Sequence, residues 1–253
     1  MEERDCISFD DIGEIIGAIS HRTLGVCAYS VGKAGRENLR NVKEMIIKAA
    51  HPFYADPELI SDAVLGNADS IRLMALEDSE AIFLSDPAAH GTEEIMACYP
   101  GFFAVFCHRI ASVIYTAGAP VLARMISEYA HMLTGIDIHP GARIGRAFAV
   151  DHGTGIVIGE TAYVGNNVKM YHGVTLGALS LPRDDGGKIL RGVKRHPSVM
   201  DNCIICANAT ILGGNTVIGE GSIIGAGCFV DCSLPRGTKY INPQSCRHRD
   251  IFP

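Results

Sequence analysis

Aliphatic residues recur at every sixth position through most of the second half of the chain, and this spacing constrains its fold more than any other feature. Neither an α-helix nor an alternating β-strand has this period, because their side chains repeat after about 3.6 and 2 residues. A period of six is typical of a β-solenoid, in which three hexads form one triangular coil with the aliphatic side chains inside. The repeated positions, in successive frames, are Ile138, Ile144, Val150 and Ile156, then Ile158, Val164, Met170 and Leu176, then Val199, Ile205 and Ile211, then Ile218, Ile224 and Val230.

The repeat is interrupted at three places. The frame slips by two residues at Ile156–Val157 and holds one extra residue near Gly213–Gly214. Elsewhere we expect each aliphatic side chain to stack on the one about 18 positions later. Between Leu176 and Val199 the hexads give way to a stretch rich in glycine and charge. Since a solenoid can extrude an insertion at a corner, we expect an extruded loop at about 178–196.

The first 134 residues have a different pattern, with apolar residues at the three- and four-residue spacing of helices. Asp56 and Asp86, each followed by proline, are predicted helix N-caps, and Gly135 is predicted to end the last helix. The chain is therefore predicted to be α+β, with an α-helical domain over 1–134 and a β-helix domain over 135–253. The predicted helices span Asp10–Ser20, Arg36–Ala50, Pro57–Leu76, Phe102–Thr116 and Val121–Leu133.

Composition argues against several classes of protein. The formal net charge is −6 and no long basic run is present, which argues against a nucleic-acid partner. Met1–Asp5 lacks the features of a secretory signal, and no apolar run is long enough to span a bilayer, so we expect a soluble cytoplasmic protein without a membrane partner. The nine cysteines are scattered, which favours reduced thiols. Cys203-x-x-Cys206 lacks a second ligand pair, so no metal is expected.

Asp137 and His152 are the polar pair with the clearest catalytic potential. They are 15 positions apart, which places them on neighbouring coils near one edge of the solenoid. An aspartate bonded to one imidazole nitrogen fixes the tautomer and leaves the other nitrogen as a general base. The spacing equally fits a capping aspartate and a hydrogen-bonded corner histidine. A zinc site would need converging histidines, and His139, His172 and His196 offer His152 no close pair.

Several motifs resemble those of the serine O-acetyltransferases of cysteine biosynthesis, over about residues 10–240. The helical motifs make the resemblance specific, because sugar acetyltransferases and carbonic anhydrases with the same solenoid lack this domain. The resemblance implies a left-handed parallel β-helix, a homotrimer or dimer of trimers (a hexamer), and L-serine and acetyl-CoA as substrates. The motifs are Asp137–Arg146, Val150–Thr161, Gly173–Gly177 and Arg195–Pro197, with Asp56–Glu58, Ser85–Ala88, Gly101–Phe102 and His108–Arg109 in the helical half.

The resemblance also implies roles for individual residues, in a site between adjacent subunits. His152 is the implied general base and Asp137 its partner. The implied serine contacts are Asp86 and Asp151 at the amino or hydroxyl end, and Arg195 and His196 at the carboxylate. The implied CoA contacts are Gly177, Ala207, Gly225 and Ala226. These residue types suit a zwitterion, whose ammonium needs acids and whose carboxylate needs a planar cation.

Two alternatives stay open on the sequence alone. One is a hexapeptide acetyltransferase acting on another hydroxylated acceptor, such as a sugar or homoserine, and the other is a non-catalytic assembly scaffold. In the family a tail ending in isoleucine often enters the active site of O-acetylserine sulfhydrylase. Here Pro253 carries the final carboxylate and Ile251 is two residues too early, so we expect a weak complex or none.

Overall fold

The structure, a computed structural model, describes residues 7–24 and 41–241 of the 253-residue chain. Within those ranges, seven α-helices precede fourteen short β-strands. Gly135 follows the last helix with a φ of 69°, the left-handed conformation predicted for a helix stop. The helices are α1 (Phe9–Leu24), α2 (Asn41–Ala50), α3 (Pro57–Gly66), α4 (Ala68–Ser85), α5 (Thr92–Cys98), α6 (Pro100–Thr116) and α7 (Pro120–Thr134).

The segment predicted as one helix over Pro57–Leu76 is in fact two helices, so that prediction is wrong. The break lies at Asn67, between α3 and α4. The side chain of Asn67 donates to the carbonyl of Ala63 at 2.8 Å, and such local bonds compete with continuation of a helix. Of the predicted helix Arg36–Ala50, residues 36–40 lie outside the described residues.

Asp86 was predicted to start a helix, and this prediction is also wrong. Asp86 directly follows the last residue of α4, and no helix begins at Pro87. Its extended backbone (φ −118°, ψ 103°) has a physical reason, since proline disfavours the helical conformation in the residue before it. Asp56 does precede α3, but its side chain makes no capping hydrogen bond. The Asp86 carboxylate is thus left for other contacts.

The second half is a parallel β-solenoid of about five turns, as the six-residue period predicts. The strands form three parallel sheets, in the orders β1-β4-β7-β10-β13, β2-β5-β8-β11 and β3-β6-β9-β12-β14, called here the first, second and third sheet. The strands are β1 (Asp137–Ile138), β2 (Arg143–Ile144), β3 (Ala149–Asp151), β4 (Val157–Ile158), β5 (Tyr163–Val164), β6 (Lys169–Tyr171), β7 (Thr175–Gly177), β8 (Ser198–Val199), β9 (Ile204–Ile205), β10 (Thr210–Leu212), β11 (Val217–Ile218), β12 (Ile223–Ile224), β13 (Phe229–Val230) and β14 (Lys239–Tyr240).

The step between stacked strands varies, although the stack itself is continuous. Strand β4 pairs with β7 at the expected step of 18 residues, whereas β1 pairs with β4 at a step of 20. The two extra residues lie in the turn 152–156, earlier than the predicted slip at Ile156–Val157, and Ile156 stays buried. The loop 178–197 lengthens the β7–β10 step to 35 residues, and Gly213–Gly214 lengthens the β8–β11 step to 19.

Helix α6 belongs to both hydrophobic cores of the molecule. Phe102, Phe103 and Phe106 pack in the core of the helical half. Ala104 and Val105, on another face of the same helix, pack with the stacked aliphatic residues of the solenoid. The helix therefore closes the N-terminal end of the solenoid core and removes that apolar surface from water.

A buried ion pair joins the same two parts of the chain. Arg109 of α6 and Asp78 of α4 are 3.0 Å apart, and both side chains are almost wholly buried. Arg109 also donates to the carbonyls of Ile144 and Gly145, each at 2.6 Å. Asp78 accepts the backbone N–H of Phe148 at 2.8 Å. Such a pair stays buried only when its remaining hydrogen-bonding capacity is met, and here the first coil meets it.

In the part of the chain that the structure describes, no single helix is both long and apolar enough to cross a membrane. Helices α5 and α6 satisfy that length and composition only together, across a bend of 76°. The C-terminal tail on which the sulfhydrylase prediction depends falls in 242–253, outside the described residues.

Candidate active site

The predicted site residues cluster at two of the three corners of the triangular coil. The His152 corner consists of the turns that lead from the third sheet to the first. The Arg195 corner consists of the turns that lead from the first sheet to the second. The His152 corner contains residues 152–156, 172–174, 206–209 and 225–228, and the Arg195 corner contains 139–142, 159–162, 178–197 and 213–216.

His152 lies in the lengthened turn after β3, with its backbone in the left-handed conformation at φ 60°. Its side chain is 75% exposed, and its Nε2 lies 3.7 Å from Oδ1 of Asp151. The ring of His172, one coil further along, meets the His152 ring edge-on with 5.8 Å between centroids. His152 is thus an accessible imidazole flanked by a carboxylate and a second ring, which suits a group that exchanges protons with a substrate.

Lys169 of β6 is a cation beside this corner. Its Nζ lies 2.9 Å from Oδ2 of Asp151 and donates to the carbonyl of Ser85 at 2.8 Å. Burial opposes the charge on Lys169, but its hydrogen bonds to Asp151 and Tyr171 outweigh that penalty and raise its pKa. The ammonium therefore joins the end of α4 to the third sheet beside His152.

Asp86, at the end of α4, belongs to the same cluster. Its carboxylate accepts the backbone N–H of Ala88 at 2.9 Å and the hydroxyl of Tyr99 at 2.8 Å. These bonds, first that from Ala88, lower the pKa of Asp86, and the nearby charges of Lys169 and His152 add smaller contributions. The hydrogen bond to Asp86 raises the pKa of Tyr99 to about 12. Asp86 is thus held as an anion and Tyr99 as a neutral donor at neutral pH.

Arg195 lies at the other corner, at the end of the extruded loop. Its Nη2 lies 2.5 Å from Oε2 of Glu160, and the hydroxyl of Tyr115 donates to Oε1 of Glu160 at 3.1 Å. Burial raises the pKa of Glu160, but the bonds from Arg195 and Tyr115 outweigh it and the net shift is downward. The ring of His139 packs edge-on against Tyr115. The Arg195 guanidinium is therefore oriented by an ionised carboxylate one coil below.

His196 follows Arg195 and is 7% exposed. Its Nδ1 faces the backbone N–H and the hydroxyl of Thr161, at 3.1 and 2.9 Å. Burial, with a smaller contribution from the Arg195 charge, lowers the pKa of His196 to about 4. The ring is therefore neutral at pH 7. It packs directly over Gly159, where an added Cβ would lie 2.1 Å from Nε2, so only glycine leaves room for this ring.

Asp137 lies in the first coil next to the His152 corner, but it does not contact His152 within one chain. Among the described residues it has no hydrogen bond or ion pair to that histidine. The carboxylate of Asp137 instead lies close to Glu128 and His131 of α7, and one potential ligand atom from each of the three lies within 4.8 Å of the others. These three side chains could hold a cation, although Glu128 already pairs with Arg124.

The four residues predicted to bind CoA are divided between the corners. Ala207, Gly225 and Ala226 lie in later turns of the His152 corner. Gly177 ends β7, where the chain enters the loop of the Arg195 corner. Within one chain, three of the four predicted CoA-binding residues therefore share a corner. A separate cavity of about 450 Å³ lies in the helical half, between the start of α1 and α7, and contains none of the predicted site residues. Its lining is mostly apolar but includes Arg124 and Glu128.

Sequence reasoning missed five residues that shape these corners. Glu160 and Thr161 had a usable signal, because they follow Gly159 in a turn that stacks beneath Arg195 and His196. Tyr99 and Tyr115 had none, because their bonds to Asp86 and Glu160 depend on how the helices pack, and the contact of Lys169 with Ser85 spans 84 positions.

Comparison with known proteins gives a consistent result. No family model matches the chain. It is 50% identical over 142 residues to the plasmid serine acetyltransferase of Synechococcus elongatus, covering 56% of this chain and 44% of that protein. It is also 50% identical over 127 residues to the serine acetyltransferase of Mycobacterium tuberculosis, covering 50% of this chain and 52% of that protein. The chain thus spans about half the length of these curated relatives.

Solved structures extend the match to nearly the whole chain. Serine acetyltransferase isoform 3 of Entamoeba histolytica, in complex with cysteine, aligns with a TM-score of 0.77 and 31% identity, covering 94% of this chain and 82% of that one. The Neisseria gonorrhoeae serine acetyltransferase in complex with serine aligns with a TM-score of 0.64 and 29% identity, covering 94% and 96%. Sequence and fold agree over both halves, and the chain belongs to the serine acetyltransferase family.

Proposed function

We propose that this chain is a serine O-acetyltransferase, which transfers the acetyl group of acetyl-CoA to the hydroxyl of L-serine. The observation that carries the proposal is the His152 corner, where an exposed imidazole lies beside Asp86, Asp151 and Lys169 in a member of this family. The two carboxylates outnumber the single ammonium, so the cluster has one unmatched negative charge. That charge suits the ammonium of an amino acid better than it suits a neutral sugar.

In the proposed reaction His152 is the general base. It takes the proton of the serine hydroxyl as the oxygen attacks the thioester carbonyl, because a neutral hydroxyl is a weak nucleophile. The tetrahedral intermediate expels CoA as a thiolate, which takes the proton back from His152. Asp137 orients the imidazole. Binding both substrates side by side supplies the proximity, so no acyl-enzyme is required.

The remaining residues bind the substrates. Asp86 and Asp151 bind the ammonium of serine, and Arg195 and His196 bind its carboxylate. Acetyl-CoA lies between two subunits, against Ala207, Gly225 and Ala226 of one and Gly177 of the next, where small side chains leave room for the pantetheine arm.

The proposed site is completed by assembly. The two ends of serine are bound at different corners of one triangular coil. A threefold arrangement that sets the Arg195 corner of one subunit against the His152 corner of the next unites them. We therefore propose a homotrimer or a dimer of trimers, joined by the helical domain over 1–134, with 135–253 as the catalytic domain. The described cysteines are free thiols, which supports a cytoplasmic location.

A thiol-release assay tests the function. The full chain is incubated with acetyl-CoA and one acceptor at a time: L-serine, D-serine, L-homoserine or a sugar. We expect CoA release with L-serine well above the others, O-acetylserine by mass spectrometry, and competition by L-cysteine, which shares the ammonium and carboxylate of serine. Preferential release with a sugar or homoserine would show that the acceptor is wrong, and no release with any acceptor would favour a scaffold.

A further inference from the structure

Thr161 lies at the centre of the segment that ends the extruded loop. Its Oγ1 accepts the backbone N–H of Arg195 at 2.9 Å and that of His196 at 3.1 Å. Its own backbone N–H donates to Nδ1 of His196 at 3.1 Å. Its carbonyl accepts Nζ of Lys194 at 2.6 Å. One residue of the coil below therefore bonds to three consecutive residues of the loop.

The hydroxyl of Thr161 has one donor and two acceptor sites, and all three are assigned by these contacts. The two N–H groups occupy both lone pairs of Oγ1. The hydroxyl hydrogen must then point at the remaining neighbour, which is Nδ1 of His196 at 2.9 Å. An Nδ1 that accepts from both the hydroxyl and the Thr161 N–H cannot carry a hydrogen itself. In a neutral imidazole the hydrogen is then on Nε2.

Nε2 is the atom of His196 that remains available to a ligand. It has no hydrogen-bond partner in the part of the chain that the structure describes, and it packs against Gly159, where any side chain would collide with it. An Nε2–H beside the Arg195 guanidinium gives a carboxylate two neighbouring donors, one neutral and one charged. The opposite tautomer would present a lone pair to that carboxylate and repel it.

We propose that Thr161 is the positioning residue of the carboxylate subsite: its hydroxyl fixes His196 as the Nε2–H tautomer and holds the backbone from which Arg195 and His196 project. The identity of the carboxylate as that of serine rests on the proposed function. The tautomer of His196 and the backbone contacts of Thr161 do not depend on the proposed function.

Kinetics of two Thr161 variants test this role. Thr161→Val keeps the branched shape and removes the hydroxyl, so the KM for serine should rise about tenfold or more, while the KM for acetyl-CoA stays within about twofold. Thr161→Ser keeps the hydroxyl and should restore the KM for serine. Arg195→Ala should show the same selective rise. Thr216→Val is the matched control, because Thr216 is a buried corner threonine whose hydroxyl donates to the Leu212 carbonyl.

An equal rise in both KM values, or the same change in Thr216→Val, would overturn the positioning role. The tautomer is measured independently of substrate, by solid-state ¹⁵N NMR of the histidine-labelled wild-type protein, with His196 assigned from the signal lost in His196→Asn. We expect the hydrogen on Nε2; a hydrogen on Nδ1 would overturn the inference even if Thr161→Val does not fold. An Nε2–H tautomer in a protein without serine-dependent turnover would overturn the proposed function alone.

Discussion

His152 combines an exposed imidazole with a left-handed backbone, which costs most residues about 1 kcal/mol or more. Asparagine tolerates this conformation best after glycine, and Asn167, Asn202 and Asn208 adopt it in other turns of the solenoid. His152→Asn is therefore the variant that removes the base with least disturbance to the turn. His152→Ala would remove the base and also strain the left-handed turn, so its effect on activity could not be assigned to the loss of the base alone.

We expect His152→Asn to lower kcat by about 10²–10⁴-fold, the usual contribution of a general base, with an unchanged melting temperature. Asp137→Asn should lower kcat by less, because it orients the imidazole and does not carry the proton. Steady-state kinetics and thermal unfolding of both variants are the measurements. A fully active, well-folded His152→Asn protein would contradict the assignment.

The sequence was sufficient to predict the positions of some individual residues but not the contacts of others. The hexad frame was enough to predict that His152 lies at a corner of the solenoid, and the helix stop at Gly135 needed only the chemistry of glycine. The bond of Tyr99 to Asp86 could not be predicted, because it depends on how α5 and α6 fold back over the end of α4. Only the packed structure brings these distant segments to one corner.

Among the elements, α6 carries a histidine in an unusual state. His108 is buried, its Nδ1 has no hydrogen-bond partner, and burial lowers its pKa from 6.5 to about 3. Above pH 6.5 the residue is neutral in both folded and unfolded chains. As the pH falls below 6.5, the unfolded chain gains a proton that the folded chain accepts only near pH 3. Stability is therefore lost across that window as the pH falls.

We expect His108→Leu to reduce this pH dependence. Between pH 7.5 and 5.5 the wild type should lose about 1–1.5 kcal/mol of unfolding free energy more than the variant, from a slope of about 1.4 kcal/mol per unit below pH 6.5. Urea unfolding at both pH values and a fixed protein concentration is the measurement. Parallel pH profiles would show that folding does not lower the pKa of His108.

Helices were harder to delimit from sequence than strands. The apolar spacing runs on from α3 into α4, so periodicity alone could not reveal the break at Asn67, where a side chain bonds back to the preceding turn. Asp86-Pro87 has the pattern of a helix start, but the same proline effect also ends a helix. The strands were easier, because each hexad has a single inward position and the stack repeats it coil after coil.

For the whole molecule, the pair Arg109–Asp78 is a buried polar link between the helical half and the first coil. Asp78→Ala should destabilise the protein by about 3–5 kcal/mol, because it leaves a buried guanidinium without its counter-charge. Denaturant unfolding is the measurement. Asp62→Ala, which breaks an exposed pair with Lys43, is the control and should leave the midpoint nearly unchanged. Similar midpoints for the two variants would show that the pair is dispensable.

The 35-residue step from β7 to β10 has an evolutionary consequence. Each coil rises by one strand spacing, about 4.8 Å, whatever number of residues it contains. The loop 178–197 therefore adds no height to the solenoid, and its residues extend sideways from the corner. Insertions and deletions before Lys194 can therefore accumulate among descendants without changing the heights of Asp137 and His152 or the contacts of Thr161 with the end of the loop.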